Sequence, residues 1–255
     1  MSYQIHSCNI LSQKEIAPNI IETWIQNREL AKQAKPGQFL HIQCGDTVSM
    51  PLRRPISICD VKGETLCFIY EVKGRGTKAL QSQTEFLDVL GPLGNGFTIL
   101  PEQHKNPAVI GGGIGVYPML YQTKQLPEPS VYLGFRNKSL VTLEEEFKTA
   151  TAFLSVSTDD GSYGTQGFAL DALKKDFAEK QFDIIYACGP KGMLKAIQAF
   201  AKETGVPCQI SLEERMGCGI GACLTCSCET HKEGAGKYQC VCKNGPVFWA
   251  EEVVL

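Results

Sequence analysis

Short apolar strands alternate with helical segments between residues 107 and 212, and this alternation constrains the fold more than any other feature of the chain. Strands that alternate with helices favour a doubly wound parallel α/β sheet. The five predicted strands cover residues 108–110, 131–135, 153–157, 183–187 and 208–212. The capping-box pattern Thr142-x-x-Glu145 predicts the start of one helix. Another helix has an apolar face made of Met193, Leu194, Ile197, Phe200 and Ala201.

The first hundred residues predict a different structure, because their strands are short and separated by Gly, Pro, Asp and Asn. This pattern is typical of a small antiparallel β-barrel. The predicted strands cover residues 3–12, 20–26, 38–44, 56–61, 66–72 and 85–90, with a short helix at 77–80. A polar segment with two prolines, residues 100–107, is the best domain boundary. We therefore expect a barrel domain (1–100), an α/β domain (107–212) and a small metal-bearing appendage (213–255).

Charge balance and apolar runs argue against several classes of protein. Among the 255 residues, 25 Lys and Arg oppose 27 Asp and Glu, so no basic excess indicates nucleic acid or an anionic membrane as partner. No apolar run is long enough for a transmembrane helix, and the first residues do not resemble a secretion signal. We expect a cytoplasmic protein in which clustered cysteines bind metal rather than form disulfides.

Half of the twelve cysteines lie between Cys218 and Cys242. The spacing Cys218-x4-Cys223-x2-Cys226, followed by a later cysteine, is that of plant-type [2Fe–2S] proteins. Glycines at positions 217, 219 and 221 lie among these ligands and allow the unusual backbone dihedrals of a tight loop. They also let backbone N–H groups approach the cluster sulfurs. The sequence therefore predicts an iron–sulfur site in this segment.

Two points about this site stay open on spacing alone. The fourth ligand is either Cys240 or Cys242. The rival site is a structural zinc in a non-catalytic module, which would give Cys218 and its glycines no role. Its ligands would be Cys223, Cys226, Cys240 and Cys242. We interpret His231 as a loop residue, because a Rieske centre needs two histidines.

A glycine loop, Gly111-Gly112-Gly113-Ile114-Gly115, follows the first strand of the α/β part and opens a helix. The amides at a helix N-terminus suit a pyrophosphate, but the strict G-x-G-x-x-G fingerprint is not met, and a plain tight turn is the alternative. Residues 157–160 and 187–190 follow later strands, so they lie at the sheet edge where such folds bind ligands. Cys188 either lines a nicotinamide pocket or is a small buried residue.

The barrel part carries a second candidate anion site, within residues 51–58. Arg53 and Arg54 offer planar guanidinium groups and Ser57 a hydroxyl, which together suit a phosphate. Downstream, Tyr70 adds an aromatic ring for stacking, and Gly76-Thr77 begins a short helix. A solvated basic loop is the alternative interpretation.

Together these motifs resemble the ferredoxin–NAD(P)+ reductase superfamily along nearly the whole chain. The family's flavin motif, R-x-[Y/P/I]-S, is similar to Arg54-Pro55-Ile56-Ser57, and its flavin-phosphate turn to Gly76-Thr77. The resemblance implies FAD at these residues and at Ile69, Tyr70 and Glu71. Many relatives carry a basic residue where Glu71 stands, so its backbone is the expected contact. It also implies NAD(H) at Gly111, Gly112, Gly113, Gly115, Gly189 and Pro190, with Cys188 as the candidate catalytic residue.

Three segments narrow the resemblance to the electron-transfer subunits of class 1B dihydroorotate dehydrogenases. They are Leu52-Arg-Arg-Pro-Ile-Ser, Glu213-Glu-Arg-Met-x-Cys-Gly-x-Gly-Ala-Cys-x-x-Cys and Val241-Cys-x-x-Gly-Pro-Val-Phe. In that family a cysteine three residues before the Gly-Pro pair is the fourth ligand. The resemblance thus implies a [2Fe–2S] cluster held by Cys218, Cys223, Cys226 and Cys242.

The same resemblance implies a role in pyrimidine biosynthesis. Electrons would pass from NADH through FAD and [2Fe–2S] to the FMN of a separate (β/α)₈ catalytic subunit, in a heterotetramer of two plus two chains. The dihydroorotate site would lie on that partner, so this chain alone would show only diaphorase-type NADH oxidation. We expect the exposed cysteine loop to contact the partner. The apolar tail Val247-Phe248-Trp249 either contacts the partner as well or packs on its own cysteine loop.

One alternative keeps the same chemistry up to the cluster. It is an NAD(P)H-oxidising subunit of another ferredoxin-reductase-type complex, similar to those of hydrogenases or glutamate synthases. NADH is favoured by the resemblance, while Arg136 and Lys138 after the second α/β strand leave NADPH open.

Overall fold

Two sheets and a small cysteine-rich module make up the fold. The computed structural model describes residues 3–46, 48–100, 102–231, 234 and 236–255. In this part of the chain no helix is both long enough and apolar enough to cross a membrane. One apolar core fills the inside of the first sheet, and two others cover the faces of the second.

The N-terminal part is an antiparallel barrel, as predicted. Its elements are β1 Ile5–Ala17, β2 Ile20–Gln26, α1 Arg28–Gln33, β3 Phe39–Ile42, β4 Arg54–Lys62, β5 Thr65–Glu71, α2 Arg75–Gln81 and β6 Phe86–Leu93. The strands close in the order β1-β2-β5-β4-β3-β6. Because side chains alternate along a strand, Leu40 and Ile42 of β3 fill the barrel, while Phe39 and His41 lie on its outer side.

The first strand is longer than the sequence predicts. It continues past residue 12 to Ala17, because it pairs with β6 at its start and with β2 along the rest. Its register shifts between Ile10 and Ser12 and again between Glu15 and Ala17. Each shift interrupts the alternation of apolar and polar residues from which a strand is recognised.

The predicted parallel sheet follows the barrel. Its elements are β7 Pro107–Gly112, α3 Val116–Thr123, β8 Ser130–Phe135, α4 Glu144–Ala150, β9 Phe153–Thr158, β10 Thr165–Gln166, α5 Ala169–Lys180, β11 Ile184–Cys188, α6 Lys191–Thr204 and β12 Cys208–Ser211. The strand order is β10-β9-β8-β7-β11-β12, parallel throughout. On α6, Leu194, Ile197, Phe200 and Ala201 are buried as predicted.

The capping-box prediction at Thr142 is wrong. Helix α4 begins at Glu144 after Leu143, which adopts a left-handed backbone with φ of 59° and provides no side-chain cap. Thr142 is buried instead, and its hydroxyl donates to the Tyr117 hydroxyl at 3.5 Å. Burial of the threonine against α3 has taken precedence over local capping.

The cysteine-rich module is continuous with the second sheet rather than appended to it. Its elements are β13 Ser227–Glu229, β14 Tyr238–Cys240, α7 Val241–Asn244 and β15 Val247–Trp249. Strand β15 pairs antiparallel with β12 as the seventh strand of the sheet. Val247 and Phe248 are therefore buried, with 8% and 4% of their surface exposed. The predicted partner surface on this tail is wrong for these two residues.

Two junctions fix the barrel against the rest of the chain. The Nζ atom of Lys124, at the end of α3, lies 2.6 Å from a carboxylate oxygen of Asp60 in β4, which is buried. Next to β6, the amide of Asn95 donates to the Gly245 carbonyl at 2.6 Å, and its side chain donates to Asn244 at 2.9 Å. The barrel thus contacts both the α/β part and the cysteine-rich module.

Candidate functional site

Four thiols of the cysteine-rich module form two pairs. The Cys223 thiol lies beside that of Cys218, and the Cys242 thiol lies beside that of Cys226. Among the described residues, no three His, Cys, Asp or Glu side chains converge as a single metal ion would require. A [2Fe–2S] cluster takes two protein ligands on each iron. Two pairs therefore fit such a cluster better than a mononuclear zinc.

Backbone amides of the cysteine loop, residues 217–226, point at the sulfurs. The amides of Ile220, Ala222 and Cys223 donate to the Cys218 sulfur at 3.5, 3.2 and 3.4 Å, and that of Gly221 donates to Cys242 at 3.1 Å. Outside the loop, the amide of Cys242 in α7 donates to the Cys226 sulfur at 3.4 Å. Gly219 and Gly221 have φ of 73° and 83°, which side chains rarely allow and which turn these amides inward. Amides arranged in this way stabilise thiolates and a negatively charged cluster.

The two sides of this site differ in exposure. Cys223 is exposed, and hydrogen bonds from Thr225 and from Cys218 lower the pKa of its thiol to about 6. Cys242 is buried, and burial together with the neighbouring Cys226 thiol raises its pKa to about 12. One end of the site therefore faces solvent, and the other faces the interior of the protein.

Arg54 and the start of α2 form one corner of the barrel. The guanidinium lies directly on Gly76, where a Cβ atom would be 2.8 Å from Nε of Arg54. The Thr77 hydroxyl accepts hydrogen bonds from the amides of Lys73 and Gly74 at 2.9 and 3.2 Å, which fixes the turn. The structure thus brings together three predicted flavin-binding residues, Arg54, Gly76 and Thr77.

The other residues of the flavin motif divide between the two faces of β4. Pro55 and Ser57 pair with His41 and Phe39 of β3 and lie on the outer face. Ile56 is 7% exposed and belongs to the barrel core, so its side chain packs inside the barrel. Only its backbone remains available to a ligand.

Two expectations for this region are corrected. Arg53 is held by Asp88, with 2.8 Å between Nη1 and Oδ1 and a 3.0 Å hydrogen bond to the Asp88 carbonyl, so it is not free to grip a phosphate. Tyr70 is 3% exposed inside the barrel, where its hydroxyl hydrogen-bonds the Gln13 amide group at 3.1 Å, so it cannot stack on a ligand. Ile69 is also buried, and Glu71 pairs with Lys73 at 2.7 Å.

The two predicted nicotinamide segments lie against each other. Gly111 and Gly112 end β7, and the turn Gly113–Gly115 leads into α3. A Cβ at Gly115 would lie 2.5 Å from the Cys188 carbonyl group and from the Gly189 amide nitrogen. Only a glycine permits this backbone contact. Gly113 has open space beside it and φ of 55°, and Pro190 caps α6 at the surface.

Cys188 lies at the end of β11, between Gly111 of β7 and Ser211 of β12. Its side chain is only partly exposed, and burial raises the pKa of its thiol to about 12. A thiol with this pKa stays protonated at neutral pH. Cys188 can therefore pack against a ligand or donate a weak hydrogen bond, but it cannot act as a thiolate there.

The sequence interpretation missed one residue of this region, His41. Its imidazole is 1% exposed on the outer face of β3, and a Cβ at Gly219 of the cysteine loop would lie 2.5 Å from its Nδ1. Burial, and then the charge of Arg53, lower its pKa to about 4. The signal was a polar residue within the apolar run Phe39-Leu40-His41-Ile42, where alternation places it opposite the barrel core.

A six-stranded barrel joined to a parallel sheet, with a cysteine loop at their junction, defines the class of ferredoxin-reductase-like oxidoreductases. Family models agree with this class. Residues 109–199 match an oxidoreductase NAD-binding domain, and residues 213–254 match the iron–sulfur cluster binding domain of dihydroorotate dehydrogenase B.

Curated relatives identify the family. The chain is 41% identical over 248 residues to the electron transfer subunit of dihydroorotate dehydrogenase B (NAD(+)) from Caldanaerobacter subterraneus subsp. tengcongensis, covering 96% of both chains. It is 44% identical over 257 residues to the same subunit from Bacillus cereus strain 03BB102, covering 96% of this chain and 97% of that one. The chain belongs to the family of dihydroorotate dehydrogenase B electron transfer subunits, which confirms the resemblance seen in the sequence.

Solved structures agree with the fold. The structure of an NADH-dependent reduced ferredoxin–NADP oxidoreductase, described for flavin-based electron bifurcation, superposes with a TM-score of 0.86 at 32% identity, over 97% of this chain and 89% of that chain. The cytochrome b5 reductase domain of Ulva prolifera nitrate reductase gives a TM-score of 0.64 at 16% identity, over 79% and 93% of the two chains. The second likeness supports the fold alone.

Proposed function

We propose that this chain is the electron transfer subunit of an NAD-dependent dihydroorotate dehydrogenase and carries FAD, a [2Fe–2S] cluster and an NAD(H) site. The observation that carries the proposal is the cysteine-rich module, in which four thiols form two pairs and three of their sulfurs receive backbone hydrogen bonds. The family match across nearly the whole chain supports it. Domain assignment follows: FAD on the barrel (1–100), NAD(H) on the α/β part (107–212) and the cluster on residues 213–255.

The residues present fit the three groups. Cys218, Cys223, Cys226 and Cys242 would hold the cluster, because their donor set is four thiols and amides already point at three of the sulfurs. Arg54, Ser57 and the fixed turn at Thr77 would hold the flavin phosphates. Gly111, Gly112, Gly113, Gly115, Gly189 and Pro190 would hold the dinucleotide, with Cys188 beside the nicotinamide.

When bound, NADH would supply a hydride, the flavin would accept its two electrons and release them one at a time, and the cluster would carry one electron at a time. The protein contributes position and electrostatics. Arg54 offers a planar cation, held over Gly76, to a pyrophosphate. The contact of Gly115 with Cys188 keeps the two halves of the dinucleotide site together, and the protonated Cys188 thiol adds no charge beside the nicotinamide.

We propose further that electrons leave through the exposed end of the cysteine loop, at Cys223 and Leu224, to the FMN of a dihydroorotate-oxidising subunit. Both residues are exposed, whereas Cys226 and Cys242 are buried. A heterotetramer of two plus two chains would bring each loop against one catalytic subunit. Six cysteines in one short segment also favour a reducing compartment, the cytoplasm.

One observation favours a second candidate. The structure that superposes over 97% of this chain is that of an enzyme with a different name, an NADH-dependent reduced ferredoxin–NADP oxidoreductase. The chain could therefore serve another redox partner with the same chemistry up to the cluster. Identity to the dihydroorotate dehydrogenase subunits, at 41% and 44%, exceeds the 32% to that structure. We therefore prefer the first candidate. Identification of the redox partner would distinguish the two candidates.

The test is a visible spectrum of the purified chain before and after anaerobic NADH addition, followed by identification of co-purifying chains from its own cells. We expect flavin and iron–sulfur absorption that bleaches with NADH, and a co-purifying FMN protein that oxidises dihydroorotate. Bleaching with a different partner would support the second candidate. A colourless protein with stoichiometric zinc would refute both.

Serine variants assign the ligands in the same experiment. Cys218→Ser, Cys223→Ser, Cys226→Ser and Cys242→Ser should each lose the cluster absorption and iron. Cys228→Ser and Cys240→Ser are the matched controls, because both cysteines lie in the same module outside the two thiol pairs, and both variants should keep the cluster. Loss of iron in a control but not in Cys242→Ser would overturn the ligand assignment.

A further inference from the structure

His41 occupies the contact between the flavin-binding strand and the cysteine loop. It lies directly opposite Pro55 in the pairing of β3 with β4. Its imidazole packs on Gly219, where a Cβ would lie 2.5 Å from Nδ1, and it is 1% exposed. One buried side chain therefore touches the strand that carries the flavin motif and the loop that carries the cluster ligands.

Both nitrogens of this imidazole lack a hydrogen-bond partner. The ring lies near the backbone carbonyls of Arg53 and Cys218, but neither contact has the geometry of a hydrogen bond. Buried polar groups are nearly always hydrogen-bonded, because burying an unpaired one costs free energy. An apolar side chain would fill this space without that cost. The imidazole is a polar ring that faces the backbone carbonyl of Cys218 in the cysteine loop, a contact that an apolar ring of the same size would not make.

The side chain of Arg53 holds the backbone at His41 in place. Nη1 of Arg53 donates to the His41 carbonyl at 3.4 Å and to the Asp88 carbonyl at 3.0 Å, so one guanidinium ties β3 to β6. The imidazole is thus presented from a rigid strand. Displacement of the ring would therefore alter its contact with Gly219 of the cysteine loop.

We propose that His41 is a positioning residue that fixes the cysteine loop against the flavin-binding strand and so sets the rate of electron transfer from flavin to cluster. The inference rests on the proposed function. NADH gives two electrons to the flavin, and the flavin gives the cluster one electron in each transfer. The second electron follows after a one-electron acceptor outside the chain has reoxidised the cluster.

The experiment compares three variants of the full, FAD- and cluster-loaded chain. His41→Phe keeps a ring but removes the N–H, His41→Asn is too short to span the gap, and His41→Gln restores an amide N–H at similar reach. His6→Phe is the matched control, since His6 lies on the same barrel with an unpaired ring nitrogen. Anaerobic rapid mixing with NADH follows flavin bleaching and cluster reduction separately, and electron paramagnetic resonance records the reduced cluster.

We expect flavin bleaching at the wild-type rate in every variant. Cluster reduction should slow by about 10-fold or more in His41→Phe and His41→Asn, with an altered resonance spectrum, and recover in His41→Gln. Wild-type cluster reduction and an unchanged spectrum in His41→Phe would overturn the inference. If that variant does not retain its cluster, the same result in His41→Asn overturns it. Absence of bleaching in the wild-type chain would instead refute the proposed function.

Discussion

Replacement of Gly115 by alanine tests the contact on which the proposed dinucleotide site depends. Gly115 has φ of −66° and ψ of −9°, an ordinary helical conformation, so alanine is not strained by its backbone. The new Cβ would nevertheless lie 2.5 Å from the Cys188 carbonyl group. An ordinary contact needs about 3.4 Å or more, so the glycine loop and the end of β11 must separate by roughly 1 Å.

Two consequences follow from that separation. Extra volume in a well-packed contact typically costs about 1–3 kcal/mol of stability, which is measurable as a lower urea midpoint. A misplacement of about 1 Å in a binding site can cost roughly 100-fold in rate. We therefore expect NADH-driven flavin bleaching to slow by about two orders of magnitude in Gly115→Ala, while the iron–sulfur absorption stays unchanged.

Gly192→Ala is the matched control for this prediction. Gly192 lies in the first turn of α6, close to the same site, and a Cβ there would meet no atom within 4 Å. Alanine in a helix stabilises by about 0.4–1 kcal/mol relative to glycine, so the control should fold at least as well and bleach at the wild-type rate. Wild-type bleaching in Gly115→Ala, or equal slowing in both variants, would refute the argument from the backbone contact.

Three further predictions address other parts of the structure. Arg54→Ala should weaken FAD binding by about 10-fold or more in a titration of the FAD-free chain, because a charge-assisted hydrogen bond is lost, whereas Arg75→Ala should not. Burial raises the pKa of the Cys188 thiol to about 12. The stability gained by burying the neutral thiol is therefore fully present below about pH 9 and is lost as the pH rises toward 12. Flavin bleaching should therefore have the same pH profile from about pH 6 to 9 in Cys188→Ser, and a limb unique to the wild type would contradict this. Lys124→Met removes the nearer cation from the buried Asp60 carboxylate, which keeps the Val61 amide at 3.0 Å and Lys62 at 3.9 Å, and should cost about 2–3 kcal/mol in urea unfolding, against under about 1 kcal/mol for Lys62→Met.

The fold was predictable because its signals are local. Alternating strands and helices after residue 107, and short strands punctuated by turn residues before it, require no long-range information. The spacing of Cys218, Cys223 and Cys226 is equally local, since all three ligands come from one loop. Boundaries were less accurate where tertiary contacts intervene, as at Thr142, whose hydroxyl bonds Tyr117 rather than capping α4.

Roles that depend on which face a side chain occupies were not predictable. Arg53 and Arg54 are adjacent in the sequence, yet one is tied to Asp88 and the other lies on Gly76. Tyr70 looked available for stacking, but its position in β5 turns it into the barrel. His41 carried no motif at all. These assignments need the register of the strands, which a single sequence does not reveal.

Electron transfer between bound groups requires that their binding segments keep fixed separations, and the junctions of this chain are built for that. Strand β15 joins the cysteine-rich module to the edge of the α/β sheet through Gln209 to Ser211 of β12. On the other side, Gly94 of the barrel has φ of 76°, and a Cβ there would lie 2.5 Å from Pro246. A module anchored at a sheet edge and against the barrel cannot swing as a flexible appendage would. Differences in cluster reduction among His41 variants should therefore reflect one altered contact, rather than a changed population of module orientations.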